Sequence, residues 1–258
     1  MTAWVDGAFV GTAAVPRPLA GSLAPFETMG AAGAVVPLWK FHLERLAATA
    51  RRLGLPFAPT PALHAAATEL LLHNGHAEDV LRLSLVPSTA AVHVVLASRS
   101  RGPRLACVRL LPTVVPRPAD APRGDLKVEP RTFYDAVRQQ AQDGGADDGI
   151  VVGKHGIVRE TAVGNLWLRI GGVWVTPALD GEVLPGIGRA RLLAVARRRG
   201  LPVAERTCDL GDLHRAEALA QSNAVFGPRP AALLGAALPG VAFVDDELVP
   251  LWRRAADD

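Results

Sequence analysis

The chain has 258 residues, enough for one large domain or two of ordinary size. Hydrophobic residues make up 49% and charged residues 21%, the balance of a soluble globular protein, and no run approaches the ~18 apolar residues that a membrane helix needs. The net charge is only +3, and the densest basic cluster, Arg197-Arg198-Arg199, reads as the solvated end of a helix, so neither nucleic acid nor a membrane is expected as a partner.

In chain order, residues 4–10 read as a short hairpin turning at Asp6-Gly7. Residues 33–38 resemble a second strand. Helical periodicity then runs over 40–53, with Phe41, Leu43, Leu46, Ala47, Ala50 and Leu53 near one side and Gly54 as a stop. A second helix is expected over 61–73. Paired strands follow over 80–86 and 91–98, with 105–111 a candidate third. Residues 112–125 are rich in proline and lack periodicity, the best linker in the chain. Beyond it a helix is expected over 130–141. Strands over 149–152 and 156–158 flank Lys154-His155 as a hairpin, and 166–170 with 173–176 form another, turning at Gly171-Gly172. A helix over 188–199 ends at Gly200, a short one covers 213–218, and 231–244 reads as terminal strand. The expected division is a smaller α+β domain over 1–116, a linker over 117–125, and a larger, mixed, β-rich domain over 126–258.

There are only three lysines, Lys40, Lys127 and Lys154, against 25 arginines. A lysine retained under that bias is a candidate for chemistry that arginine cannot perform. Imine formation is one example, because a guanidinium is always protonated and is no nucleophile. Lys127 follows the linker, Lys40 heads the first helix, and Lys154 sits in a Gly153-to-Gly156 turn that reads as exposed. Other candidates carry ordinary readings when taken singly. Glu160 follows a strand, where a glutamate is ordinarily solvent-exposed. Leu184-Pro185-Gly186-Ile187-Gly188-Arg189 is a tight turn opening onto a helix, whose N–H groups either cradle a phosphate or simply begin the helix. Arg45 is an exposed helix arginine or a phosphate clamp. Cys107 and Cys208 form no CxxC pair and no metal-ligand spacing, so free thiols and no metal are expected. The first seven residues show no basic stretch before an apolar core, and a cytoplasmic location is expected.

The order of the pieces narrows these readings. Phe26-Glu27-Thr28-Met29 comes first, then His42-Leu43-Glu44-Arg45-Leu46 with Ala50 and Leu53, then Lys127 with Arg131 and Tyr134. Gly145-Ala146-Asp147 follows, then Val158-Arg159-Glu160 with Asn165, Thr176-Pro177 with the Leu184-to-Arg189 turn, and Ser222-Asn223-Ala224. Together these resemble the class IV aminotransferases, the fold-type IV pyridoxal-phosphate enzymes that include branched-chain aminotransferases, D-amino-acid transaminases and 4-amino-4-deoxychorismate lyases. The resemblance covers nearly the whole chain and implies an α+β, two-domain fold of the D-amino-acid aminotransferase kind, assembled as a homodimer. It also implies that Lys127 is the Schiff-base lysine and that Glu160 faces the pyridine nitrogen, so that the ring acts as an electron sink. Arg45, the backbone at Ile187-Gly188 and the Ser222-Asn223-Ala224 turn would then bind the cofactor phosphate, with Asn165 beside them. The chain departs from the family twice. Gly21-Ser22-Leu23-Ala24-Pro25 stands where many members have G-D-G, and Gly188 stands where they have threonine, which removes a side-chain phosphate contact.

Ser222-Asn223-Ala224-Val225-Phe226-Gly227-Pro228-Arg229-Pro230 resembles the N-[SA]-x-x-G-x-x-P segment of 4-amino-4-deoxychorismate lyases. The resemblance therefore favours the lyase, in which Lys127 takes the proton from the amine-bearing ring carbon and pyruvate leaves to give 4-aminobenzoate. Thr28 is a candidate proton relay, and Phe26 and Arg82 are candidates for substrate binding. Arg82 and Arg229 each read equally as ordinary salt-bridge partners. A transaminase for branched-chain or D-amino acids is the alternative, followed by a non-catalytic member of the fold.

Overall fold

The computed structural model describes residues 2–236 and 241–257. The chain forms two compact units, Met1–Pro103 with Leu126–Pro130, and Arg104–Asp125 with Arg131–Asp258.

The first unit is an antiparallel sheet of six strands, numbered here along the whole chain: β1 (Thr2–Val5), β2 (Ala8–Gly11), β3 (Ala24–Ala32), β4 (Glu78–Pro87), β5 (Val92–Ser100) and β7 (Val128–Glu129). Their order is β2-β1-β5-β4-β3-β7. Two helices, α1 (Trp39–Arg52) and α2 (Pro61–Asn74), pack against it. Proline at the first turn of α2 and Gly75 in the left-handed region just past its end mark its limits. Period-two alternation on β4 sends Leu81, Leu83 and Leu85 into the core with Leu46, Ala50, Leu63, Leu70 and Leu71 of the helices. The partner residues on β3 follow: Glu27 lies opposite Leu83 and Met29 opposite Leu81. Phe26, Thr28, Arg82 and Ser84 therefore share the other face.

The second unit is built on nine strands: β6 (Val108–Thr113), β8 (Asp148–Val152), β9 (Ile157–Thr161), β10 (Asn165–Ile170), β11 (Val173–Pro177), β12 (Val203–Arg206), β13 (Cys208–Asp209), β14 (Ala218–Asn223) and β15 (Gly227–Leu233). The order is β12-β11-β10-β14-β15-β6-β8-β9-β13, parallel at β11/β12, β15/β6 and β6/β8. The helices are α3 (Thr132–Asp143), α4 (Ile187–Arg198), α5 (Leu210–Arg215), α6 (Val241–Phe243) and α7 (Val249–Asp257), with a π-helical turn over Val244–Leu248. Trp167 and Trp174 are fully buried against Leu192, Val195, Val244 and Leu248. Trp174 Nε1 donates to Glu247 Oε2 at 2.6 Å, which satisfies the indole's one polar atom. Alternation sends Leu166, Leu168 and Val175 into a second cluster with Leu110, Ile150 and Leu213. Among the described residues no helix is long and apolar enough to cross a membrane.

Several expectations are corrected. The division at 1–116, 117–125 and 126–258 is displaced at both boundaries. Residues 104–116 join the second unit, because β6 pairs with β8 and β15 and not with the β4–β5 pair. Leu126–Pro130 joins the first, because β7 pairs with β3. Residues 33–38 are a turn with one isolated bridge, Ala32 to Val35, since Gly33 and Leu38 adopt positive φ. The strand of that region is β3, which the motif hid. The short helix is Leu210–Arg215, capped by Asp209, and β14 begins at Ala218. The terminal strand stops at Leu233, and residues 241–257 are helical; part of the expected strand, 237–240, lies outside the described residues.

Leu83→Ala is expected to destabilise the protein by about 2–5 kcal/mol in urea unfolding, because Leu83 is fully buried in the first core. Leu179→Ala, at a residue 49% exposed, is expected to stay within about 0.5 kcal/mol of the parent.

Candidate active site

Of the three lysines, Lys40 and Lys154 are exposed and Lys127 is half-buried. Lys127 precedes β7, and its carbonyl accepts from Phe26 N at 3.0 Å, which extends the β3 pairing by one residue. Its Nζ stands 4.7 Å from the centroid of the buried Phe26 ring. The Arg82 guanidinium lies 3.8 Å from the same centroid, an arrangement in which the electron-rich ring attracts both cations. Thr28 is opposite Arg82 in the β3/β4 register. The first unit thus brings Phe26, Thr28, Arg82 and Lys127 onto one sheet face.

Arg45 is placed differently. Its Nε donates to Glu27 Oε1 at 2.8 Å and its Nη2 to Glu27 Oε2 at 2.6 Å, a two-pronged pair on the helix-covered side of β3. His42, one turn earlier on α1, shares Glu27 Oε2 at 2.7 Å. Burial alone would raise the Glu27 carboxyl, but the Arg45 charge and the hydrogen bonds from His42 and Arg45 outweigh it and hold it at about 2. The acceptor is therefore anionic and His42 Nδ1 carries the shared proton. Burial pulls the His42 pKa down, and its Nε2 is buried with no hydrogen-bond partner among the described residues.

In the second unit, Glu160 is buried at the end of β9, 3% exposed. Three donors converge on its two oxygens: Tyr134 Oη at 2.8 Å, Asn165 Nδ2 at 3.3 Å and Leu184 N at 3.2 Å, a set that suits the anion. Burial, then the Glu160 charge, push the Tyr134 hydroxyl far above its ordinary range, so it remains a donor. Arg131, whose guanidinium lies 5.6 Å from the Tyr134 ring centroid, donates to the Ala162 carbonyl.

Asn165 joins this carboxylate to both phosphate-turn candidates. Its Nδ2 also donates to Leu184 O at 3.0 Å, and across the β10/β14 pair it faces Ser222. A Cβ on Gly186 would fall 1.9 Å from Asn165 Oδ1, so only glycine lets the turn approach. Ile187 then opens α4 with no side-chain hydrogen bond from its cap residue, Gly186, and no acidic residue in the first turn, which favours an anion at the positive helix end. A Cβ on Gly188 would lie 3.1 Å from the Trp252 ring, which explains glycine where threonine was expected. The same position is 3.9 Å from the Asn223 carbonyl carbon, so the two turns are neighbours. Asn223 Oδ1 accepts from Val225 N at 3.1 Å and Phe226 N at 3.0 Å, shaping the turn around Ala224. The Ser222 hydroxyl is buried and accepts from Trp167 Nε1 at 2.9 Å. Arg229 donates to Gln221, whose amide reaches Asp148 Oδ2 at 2.6 Å, so it is committed to a buried polar chain.

A family model described as amino-transferase class IV matches residues 24–234. The chain belongs to that family. That family uses pyridoxal phosphate as its cofactor. It is 35% identical over 77 residues to branched-chain-amino-acid transaminase 1 of Bacillus subtilis, a match covering 30% of this chain and 22% of the relative. The chain thus spans well under half the length of that curated relative. Among solved structures it is similar to a branched-chain aminotransferase from Thermoproteus uzoniensis with norvaline, with a TM-score of 0.88 and 21% identity over 100% of this chain and 95% of that one. It is also similar to a candidate 4-amino-4-deoxychorismate lyase from Legionella pneumophila, with a TM-score of 0.78 and 24% identity over 90% and 91%. These likenesses establish the fold-type IV architecture. The residues present fit the family's cofactor. The donor-fixed Glu160 suits a protonated ring nitrogen, and the glycine-lined turn before α4 suits a phosphate.

Sequence reading left three of these groups without a role. Glu27 and His42 stood inside recognised motifs but carried no signal of burial. Tyr134 was part of the lysine pattern, yet nothing in its spacing said that its hydroxyl would reach Glu160.

A carboxyl held at about 2 in the folded chain, against 4.5 when free, contributes about 3 kcal/mol of stability at neutral pH. That contribution is present above pH 4.5 and disappears as the pH falls from 4.5 through 2. Glu27→Gln is expected to lower stability at pH 7 and to flatten the acid limb of a plot of urea-unfolding free energy against pH.

Proposed function

We propose that the enzyme is a 4-amino-4-deoxychorismate lyase, releasing pyruvate and forming the folate precursor 4-aminobenzoate. The observation that carries this reading is Arg82, on the sheet face of Lys127 and against Phe26. A guanidinium there suits a substrate with carboxylates beyond its reacting carbon. It is poorly suited to an aliphatic side chain, whose burial would desolvate the Arg82–Glu129 ion pair and return no polar contact. The segment from Ser222 to Pro230 supports the same choice.

When bound, pyridoxal phosphate supplies an electron sink for the charge left at the carbon that loses its proton. Lys127 Nζ is the point of covalent attachment. With its amine free, Lys127 would take the proton from the amine-bearing ring carbon of the substrate. Glu160 holds a proton at the ring nitrogen, with Tyr134 and Asn165 keeping its carboxylate in place. The N–H groups of Ile187 and Gly188 and the Ser222-Asn223-Ala224 turn would hold the phosphate. Arg45, anchored to Glu27, adds positive charge. Thr28 passes a proton toward the leaving group, and Arg82 with Phe26 holds a substrate carboxylate. A cytoplasmic homodimer completes the reading.

A transaminase reading is favoured by the identity with the Bacillus subtilis transaminase. It uses the same Lys127 and Glu160 but passes the amine to an oxo acid.

Supplied with enzymatically generated aminodeoxychorismate, the protein is expected to yield 4-aminobenzoate and pyruvate in equal amounts, with no product from Lys127→Ala. Steady conversion of a branched-chain amino acid to its 2-oxo acid, with no 4-aminobenzoate, would establish the transaminase instead. Gly186→Ala is expected to raise the cofactor dissociation constant about tenfold or more in a fluorescence titration with pyridoxal phosphate, because the added methyl displaces Asn165 and the turn.

A further inference from the structure

Glu129 carries no role in the reading above, yet it stands beside the residues that do. It lies two positions after Lys127 on one extended segment, so the two side chains leave the same face. Its Oε1 is 2.7 Å from Arg82 Nη2. Arg82 Nε donates to Ser84 Oγ at 3.1 Å, and the guanidinium plane is against Phe26. Ser84 and Phe26 therefore orient Arg82 whether or not Glu129 is present. The β7–β3 pairing is made by backbone groups and does not need the Glu129 side chain. The side chains of Arg82 and Glu129 are 36% and 42% exposed, so water reaches the pair and it is easily broken.

We infer that Glu129 is a built-in competitor for Arg82, a carboxylate that the chain offers its own guanidinium and that a ligand carboxylate must displace. Glu129 thereby sets the selectivity for anionic ligands on the Lys127 face. A ligand carrying a carboxylate has a partner there in Arg82, whose guanidinium the buried Phe26 ring holds in place. A neutral ligand leaves the Arg82–Glu129 pair closed and gains nothing from the guanidinium. An anion that dislodges Glu129 leaves that carboxylate near Lys127, where it repels further negative charge and favours the cationic form of an incoming amine. The inference rests on the proposed use of Arg82 toward a substrate carboxylate.

The test is calorimetric titration of the cofactor-loaded protein with benzoate and with its uncharged counterpart benzamide. Glu129→Gln is expected to bind benzoate roughly three- to fivefold more tightly than the parent, with benzamide unchanged. Arg82→Gln is expected to lose the preference for benzoate over benzamide, and Glu129→Asp to keep the parent's weaker benzoate binding. Glu129→Ala carries the same expectation as Glu129→Gln and replaces it if thermal melting shows the latter misfolded. Equal benzoate affinity in the parent and both neutral variants would overturn the inference, as would a tightening shared equally by benzamide. The titration needs no turnover, so a parent protein that binds as expected but makes no 4-aminobenzoate counts against the lyase reading alone.

Discussion

The second unit is organised around a buried carboxylate that cannot be left alone. Glu160 is 3% exposed, and an anion so placed persists only if donors replace the water it has lost. The three that do so come from three places in the chain: the hydroxyl on α3, the amide at the start of β10 and the backbone of the turn before α4. Satisfying one charge therefore fixes the relative positions of a helix, a strand and a phosphate turn. The local geometry at Gly186, where no side chain fits against Asn165, is a consequence of that requirement.

The first unit answers the same physical problem differently. Glu27 is compensated by the full charge of Arg45 and by a hydrogen bond from His42, both on one turn of α1, and the result joins a helix to a single strand. Glu160 is held by donors that include a phenol hydroxyl, a side-chain amide and a backbone N–H, whose dipoles stabilise the anion. One carboxylate ties a helix to a strand, while the other gathers three distant segments of the chain around it.

Much of this was legible in the sequence where residue type and order carry meaning independently of packing. Lys127, Glu160, the turn before α4 and the two long helices of the first unit could be placed from periodicity and motif. The parts that could not be read depend on long-range pairing. β3 has a proline, a glycine, a glutamate and a threonine in place of an alternating apolar pattern, and it becomes a strand because β4 and β7 flank it. The division of the chain fails for the same reason: β6 looks like a continuation of the β4–β5 pair, and only its parallel partners, distant in sequence, assign it elsewhere. The motif arginine Arg45 was visible, but its two-pronged hold on Glu27 was not, since nothing in a helix pattern reveals which carboxylate it will meet.

Trp252 shows how one residue can constrain several others. Its indole approaches the positions that a side chain would take at both Gly188 and Gly227, the latter within 2.4 Å of its Nε1. Volume at these three positions is therefore exchanged and not chosen independently. A side chain at 188 requires the Trp252 ring to shift by a few tenths of an ångström, and that ring also packs over Gly227. Bulk at 188 and at 252 is therefore coupled, so a threonine grafted at 188 is better tolerated when position 252 changes with it, while Gly227, at φ 67°, is held to glycine by its backbone as well.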